Sequence, residues 1–288
     1  MKAATRAQKP YTAWQYFLLF CDDGTKIAGA LAEEGRGSEL WLSVYGPEQS
    51  AFDIFFPRQA YNLSPRGCSL RANFLLKDKD RAWLRVAEQG IELEVSGRSV
   101  IDWPDNRLAL ETAAGRVDWQ VPFLRLEFQG HLTVNGKKRA IRGLMFHDAV
   151  SHTLQMRSPS LLTSFRSWTW GLLYSGDRTI MFVDVRYQAK PFRFVCVAGP
   201  EGIISSSAGK PSDDVHISYE GRYPHEQVRL EFGGEPVIIS LLKRHPVFHG
   251  GAVGKLLMRL FKPKFHSSGV WRQGEQAGEA YIESLRLR

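Results

Sequence analysis

His147, Asp148 and His152 fall within six positions, in the run FHDAVSH. A carboxyl with imidazoles close by is equipment for proton transfer, one group giving a proton and another taking it back. Further along, SWTWGLLY sets Trp168, Trp170 and Tyr174 at two- and four-residue spacing. A carboxyl shut among aromatic rings loses hydration, which favours its neutral form. Such an acid can protonate an alkene, enone or epoxide and so begin a hydration or a cyclisation. Ring faces then steady the developing cation through their quadrupoles. The candidate acid/base group is therefore Asp148 with His147 or His152. The candidate wall of the pocket is Phe146, Trp168, Trp170 and Tyr174, with Asp184 of TIMFVDVRY beside them.

Plainer readings of the same residues stand next to these. Asp148 can bond backbone amides at a loop while the imidazoles sit in water. The rings can simply fill a barrel. Asp184 shares strand parity with Phe182 and Arg186, which suits a wet structural face better than catalysis. His147 and Asp148 are neighbours, so on a strand they leave opposite faces and only one can enter a pocket. The spacing of His147 and His152 is no metal signature on a strand, and no metal is expected. His245 and His249, in KRHPVFHGG, read as residues of a surface turn.

The elements that must hold these groups read as strands. Ile91, Leu93 and Val95 alternate with Glu92, Glu94 and Ser96. Val117, Trp119 and Val121 share a face, as do Leu124, Leu126 and Phe128 against Arg125 and Glu127, and later Val228, Leu230 and Phe232. Period-two alternation of this kind marks antiparallel sheets with one dry face. Asp23-Gly24, Asn135-Gly136 and Ser175-Gly176-Asp177 each separate two such runs and read as hairpin turns. Repeated hairpins suggest sheets that close on themselves. The expected fold class is all-β: two lipocalin-like antiparallel β-barrel domains with a few short helices. The boundary is placed in 151–166, giving domains 1–150 and 151–288. GKLLMRLF (254–261) reads as a short amphipathic helix, and 199–214, rich in Gly, Ser and Pro, as a loop.

Composition narrows the classes. Of 288 residues 43% are hydrophobic and 12% aromatic, enough for large cores and too many for disorder. The formal net charge of +8 is spread along the chain without a long basic run, so no nucleic-acid partner is expected. Three cysteines, Cys21, Cys68 and Cys196, are odd in number and far apart, which fits reduced thiols. The opening MKAATRAQKPYTAWQYF lacks the apolar centre of a signal peptide, and no apolar run approaches the ~18 residues of a spanning helix. A cytoplasmic setting is expected, with 254–264 offering peripheral contact with an anionic membrane. No phosphate-cradling loop or nucleophile elbow occurs.

Several motifs in order carry a family resemblance. Trp14-Gln15-Tyr16-Phe17 leads to Asp22-Asp23-Gly24. A Gly-x-x-Phe-x-Asp element runs from Gly143 to Asp148, Ser-Trp-x-Trp-Gly stands at 167–171, and Gly-x-Ala-Tyr-Ile-Glu at 278–283. The chain resembles the carotenoid 1,2-hydratase and AttH-like lipocalin-related family, with its tocopherol-cyclase-like and Diels–Alderase-like relatives. The family's central motif runs Gly-x-Gly-Tyr-x-Asp-His-x-Trp-Gly. Gly143 and Asp148 match it, while Met145, Phe146, Ala149 and Ser151-His152 depart from it. The resemblance implies two lipocalin-like barrels, a pocket between or within them, non-redox chemistry and no cofactor. The expected function is a cofactor-independent cyclase or hydratase of a hydrophobic terpenoid or polyketide. The rival is a carrier that binds an apolar ligand unchanged, which the departures at Ala149 and Ser151-His152 favour.

Overall fold

The computed structural model describes residues 12–34, 37–46, 49–57, 61–64, 66–101, 107–112, 115–152, 165–187, 190–206, 214–247 and 264–286. Among these, every regular element is a strand. The chain divides into two compact units, Met1–Arg98 with Arg107–Leu161, and Ser99–Asn106 with Leu162–Arg288.

The first sheet is built from β1 (Thr12–Cys21), β2 (Lys26–Glu34), β3 (Gly37–Tyr45), β4 (Ser50–Pro57), β5 (Asn62–Ser64) and β6 (Gly67–Leu70). It continues with β7 (Asn73–Asp78), β8 (Arg81–Glu88), β9 (Ile91–Ser99), β10 (Arg107–Thr112), β11 (Gly115–Val134) and β12 (Lys137–His152). Its order is β4-β3-β2-β1-β12-β11-β9-β8-β7-β6-β5, with β10 paired to β11. Laid flat, the strands of that path would span ~48 Å at the usual inter-strand spacing. Yet its two edges, β4 and β5, are consecutive in the chain, and the step from Pro57 to Asn62 reaches at most ~18 Å. The sheet has to curl until its edges approach. Phe17, Leu19, Leu42, Leu75, Leu93 and Met145 fill the hollow so formed.

The second sheet holds β13 (Phe165–Ser175), β14 (Arg178–Tyr187), β15 (Lys190–Gly199), β16 (Gly202–Ser206) and β17 (His216–Glu220). It also holds β18 (Gln227–Glu231), β19 (Val237–Val247), β20 (Lys264–Gln273) and β21 (Gln276–Arg286). Its order is β16-β15-β14-β13-β21-β20-β19-β18-β17. Leu173, Phe182, Val195, Ile217, Leu230 and Trp271, drawn from six of these strands, pack into one core, so this sheet curls as well.

The three hairpin turns stand where the dipeptides place them, joining β1 to β2, β11 to β12 and β13 to β14. Asn135 and Gly136 both have positive φ, 51° and 79°, as a two-residue turn matching strand twist requires. The alternation at Ile91, Leu93 and Val95 is inward and buried. Arg125, assigned to the wet face, is buried instead. Register shifts between Gln120 and Phe123, and between Phe123 and Leu126, re-aim the strand there.

Two readings are corrected. Residues 199–214 are not one loop: β15 runs to Gly199, and after the Pro200-Glu201 turn Gly202–Ser206 pairs back onto it. His245 does not sit in a turn but on β19, opposite His266. His249, the helix read at 254–261 and most of the boundary segment lie outside the described residues. No described helix is long and apolar enough to cross a membrane.

Candidate functional site

β12 pairs with β1 so that Phe17 faces His147 and Tyr16 faces Asp148. The odd positions of β1 point into the first core, and His147 goes with them. Its Nε2–H donates to Gln15 Oε1 at 2.8 Å, and its ring lies 6.0 Å from that of Phe123. Burial, helped by the Lys77 ammonium, pushes the imidazole down to about 3, so it is neutral at ordinary pH. Asp148 leaves the opposite face with Phe146 and His152. It is only 3% exposed, and Phe146 is fully buried. The His152 ring meets the Trp14 ring edge-on at 5.6 Å, and burial lowers its pKa. Asp148 and His152 stand two pleats apart, ~13 Å along the strand, so Tyr16 is the nearer cross-strand neighbour of the carboxyl. The local sequence allows this because both faces of β12 are dry over Met145–Asp148, where alternation gives way to a buried run.

In the second unit Trp168, Trp170 and Tyr174 do share a face of β13, turned away from the core that holds Leu173 and Phe182. β21 supplies the neighbouring row: Leu285 opposite Trp168, Glu283 opposite Trp170, and Tyr281 opposite Leu172. Trp170 and Tyr281 stand 6.2 Å apart, ring to ring. Sequence reasoning did not name the charged cluster beside them. Glu283 Oε2 accepts from Lys264 Nζ at 2.8 Å and from His266 Nε2–H at 3.1 Å. Burial alone would raise the Glu283 carboxyl, but the Lys264 ammonium and the His266 bond outweigh it and hold it well below the usual range. Burial pushes His266 down to about 4 despite the carboxylate. The cluster is thus carboxylate, ammonium and neutral imidazole. A hairpin centred on Gly274-Glu275 would have signalled it, since that register sets residue 266 across from 283.

Asp184 is not on a wet face. It is 1% exposed and points to the interior with Phe182, because β14 is buried on both sides for most of its length. The Tyr219 hydroxyl donates to its Oδ2 at 2.8 Å, Arg193 Nε to its Oδ1 at 3.3 Å, and Arg186 pairs with it at 3.5 Å. Burial and the adjacent carboxylate raise the Tyr219 phenol well above its ordinary range, so it stays a donor. Above this network opens a cavity of about 670 Å³. A second hollow, about 750 Å³ in the first unit, is lined by Trp83, Glu94, Gln129, His131 and Arg142 among others and contains none of the predicted site residues. The structure therefore separates the predicted residues into four settings: His147 in one core, Asp148 with Phe146 and His152 on a buried outer face, Trp168, Trp170 and Tyr174 on the face of β13 turned away from the second core, and Asp184 in that second interior. Among the described residues no three His, Cys, Asp or Glu side chains come together as a metal set.

No family model matches the chain, and no curated protein sequence does. Solved structures do. A protein from Nitrosomonas europaea assigned as AttH superposes with a TM-score of 0.68 at 12% identity, covering 96% of this chain and 93% of that one. Kievitone hydratase from Nectria haematococca gives 0.66 at 11% identity, covering 96% and 89%. CghA gives 0.62 at 10% identity, covering 96% and 88%, and has also been solved with Sch210972. The fold is thus the paired lipocalin-like barrel of these proteins. The resemblance drawn from the motifs at 143–148, 167–171 and 278–283 is met by structures from that same group.

Proposed function

We propose that the chain is a hydratase- or cyclase-type enzyme for a hydrophobic small molecule of terpenoid or polyketide kind, working by acid/base catalysis without a cofactor. The observation that carries this reading is the Asp148 carboxyl, buried on an outer sheet face beside Phe146 and across from Tyr16. In a hydration the alkene π pair takes the carboxyl proton, a water oxygen bonds the resulting carbocation, and the surplus water proton returns to the carboxylate. In a cyclisation a second double bond replaces the water as nucleophile, and the cation this leaves gives up a proton from the adjacent carbon to the carboxylate, forming a new double bond. A dry site lets such a cation survive, and ring faces lower its energy. Trp168, Trp170 and Tyr174 give the second unit an aromatic face suited to an apolar ligand. His152, on the face of Asp148, is the imidazole this reading retains. His147, neutral and bonded to Gln15 in the opposite core, supports Asp148 only through the strand they share. Kievitone hydratase has this fold and is named for hydration, which is consistent with the reading.

The test begins with the molecule that co-purifies from producing cells. Mass spectrometry before and after incubation with fresh protein should show gain of one water, or an isomer of unchanged mass. Asp148→Asn should slow that conversion by roughly a hundredfold while leaving circular dichroism unaltered. A ligand returned unchanged by the native protein identifies a carrier. Conversion by Asp148→Asn within about twofold of native removes Asp148 from the chemistry.

A further inference from the structure

The interior of the second unit holds a cup that the reading above leaves unused. Its cavity of about 670 Å³ lies at the end of the curl where β13 begins and β21 ends, with Ser167 paired to Arg186 and to Arg286. Four guanidinium groups line it, those of Arg166, Arg186, Arg193 and Arg286. A guanidinium cannot shed its charge in a protein. Asp184 is already engaged by Arg193, Arg186 and the Tyr219 hydroxyl. The cup therefore carries more positive charge than Asp184 can balance. A partly enclosed surplus of this kind concentrates anions. The rest of the lining combines rings and apolar side chains with Ser167, Thr169 and Ser218. The Tyr219 and His225 rings lie 4.6 Å apart with their planes tilted by 30°, Tyr223 meets His225 edge-on at 5.6 Å, and Pro191, Ile217 and Leu285 add apolar wall. Arg186 lies 5.7 Å over the Tyr219 ring, so cation and aromatic surface are offered together.

From this arrangement we infer that the second unit binds a small-molecule oxyanion, a carboxylate or phosphate ester, carried on a ring-sized apolar body. The guanidinium forks take the oxyanion and the Tyr219, Tyr223 and His225 rings take the body. Asp184 is a positioning residue: it holds Arg193 and Arg186 and competes with the ligand for them. None of the lining residues is used by the catalytic reading, so the inference stands or falls independently of it.

Calorimetric titration of the full chain with benzoate, phenyl phosphate and neutral benzyl alcohol tests it. At least one of the two anions should bind, about tenfold or more tighter than benzyl alcohol, with affinity that falls as salt rises. Whichever of benzoate and phenyl phosphate binds tighter identifies the oxyanion. Arg186→Gln should weaken that anion by about fivefold or more, and Asp184→Asn should tighten it, since it removes the competing carboxylate and keeps an acceptor for Tyr219. If Arg186→Gln fails to fold, the exposed Arg166→Gln and Arg286→Gln carry the same expectation. Anions that bind no tighter than benzyl alcohol, or folded arginine variants that bind as the native chain does, overturn the site. Inorganic phosphate binding as tightly as phenyl phosphate overturns the apolar half of the assignment.

Discussion

The Nε2–H of His266 meets the Glu283 carboxylate at 3.1 Å across the β20–β21 hairpin, and the same oxygen holds the Lys264 ammonium at 2.8 Å. One buried anion thus answers for two donors. Glu283→Gln keeps the shape but takes from the mostly buried Lys264 ammonium the carboxylate charge it pairs with. The loss should be ~3 kcal/mol in urea unfolding, the usual cost of breaking a buried pair from one side. Adding Lys264→Met to Glu283→Gln should restore part of that loss. A double variant no more stable than Glu283→Gln alone would mean that the ammonium is not the reason for it.

Acid should unfold the protein along a slope set by buried imidazoles. His147 and His266 are lowered to about 3 and about 4, while an unfolded histidine takes its proton near 6.5. As pH falls below 6.5 the unfolded chain gains protons that the folded one refuses. Stability is therefore full above 6.5 and is lost on acidification towards the folded values. Each group contributes at most ~1.4 kcal/mol per pH unit. His147→Gln should flatten the slope between pH 6 and pH 4.5 by up to ~1.4 kcal/mol per pH unit, read as urea midpoints across that window. Glu283, held below the usual carboxylate range, adds its own loss only at lower pH still.

Gly278 leaves no room for a side chain. A Cβ there would lie 1.8 Å from the Tyr174 carbonyl oxygen and 2.6 Å from Trp271 Nε1. Those two atoms are themselves hydrogen-bonded at 3.1 Å. Gly278→Ala should cost ~3 kcal/mol or more, because backbone has to move and a buried bond goes with it. Loss of near-ultraviolet tryptophan dichroism in the variant would report the displaced Trp271 ring.

Gly136 offers the opposite case. Nothing stands within 4 Å of its would-be Cβ, yet its φ is 79°. Gly136→Ala should cost only ~1 kcal/mol, entirely through backbone conformation. A loss as large as that of Gly278→Ala would show that the turn is packed after all.

The contrast between these glycines says what the sequence can carry. Asn135-Gly136 announces its turn from two residues, because the turn is a local property of φ. Gly143, Gly171 and Gly278 caught the eye only through the motifs they belong to. Their reason is distant: Cβ atoms there would strike the Phe20 carbonyl, the Phe182 ring and the Tyr174 carbonyl. The alternation at 91–97 shows its buried face because the other face is wet. At Met145–Asp148 and along β14 both faces are dry, and parity then pairs residues correctly without telling which side is the interior. That is how Asp184 could be grouped with Phe182 and still be read as wet. Ser205 and Ser206 hid β16 because an edge strand needs a ladder more than it needs apolar side chains. The Glu283 cluster was visible only to someone who had fixed the hairpin register first.

The pairing of β1 with β12 also governs the order in which this protein can assemble. The strand that leaves the ribosome first in that unit must wait for His152 before it has a partner on one side, and β13 waits likewise for β21. Contacts between residues so far apart in the chain close slowly. During synthesis the aromatic run Trp14 to Phe20 stands with one flank unzipped, and the nascent chain depends on β2 to keep it from pairing with strangers.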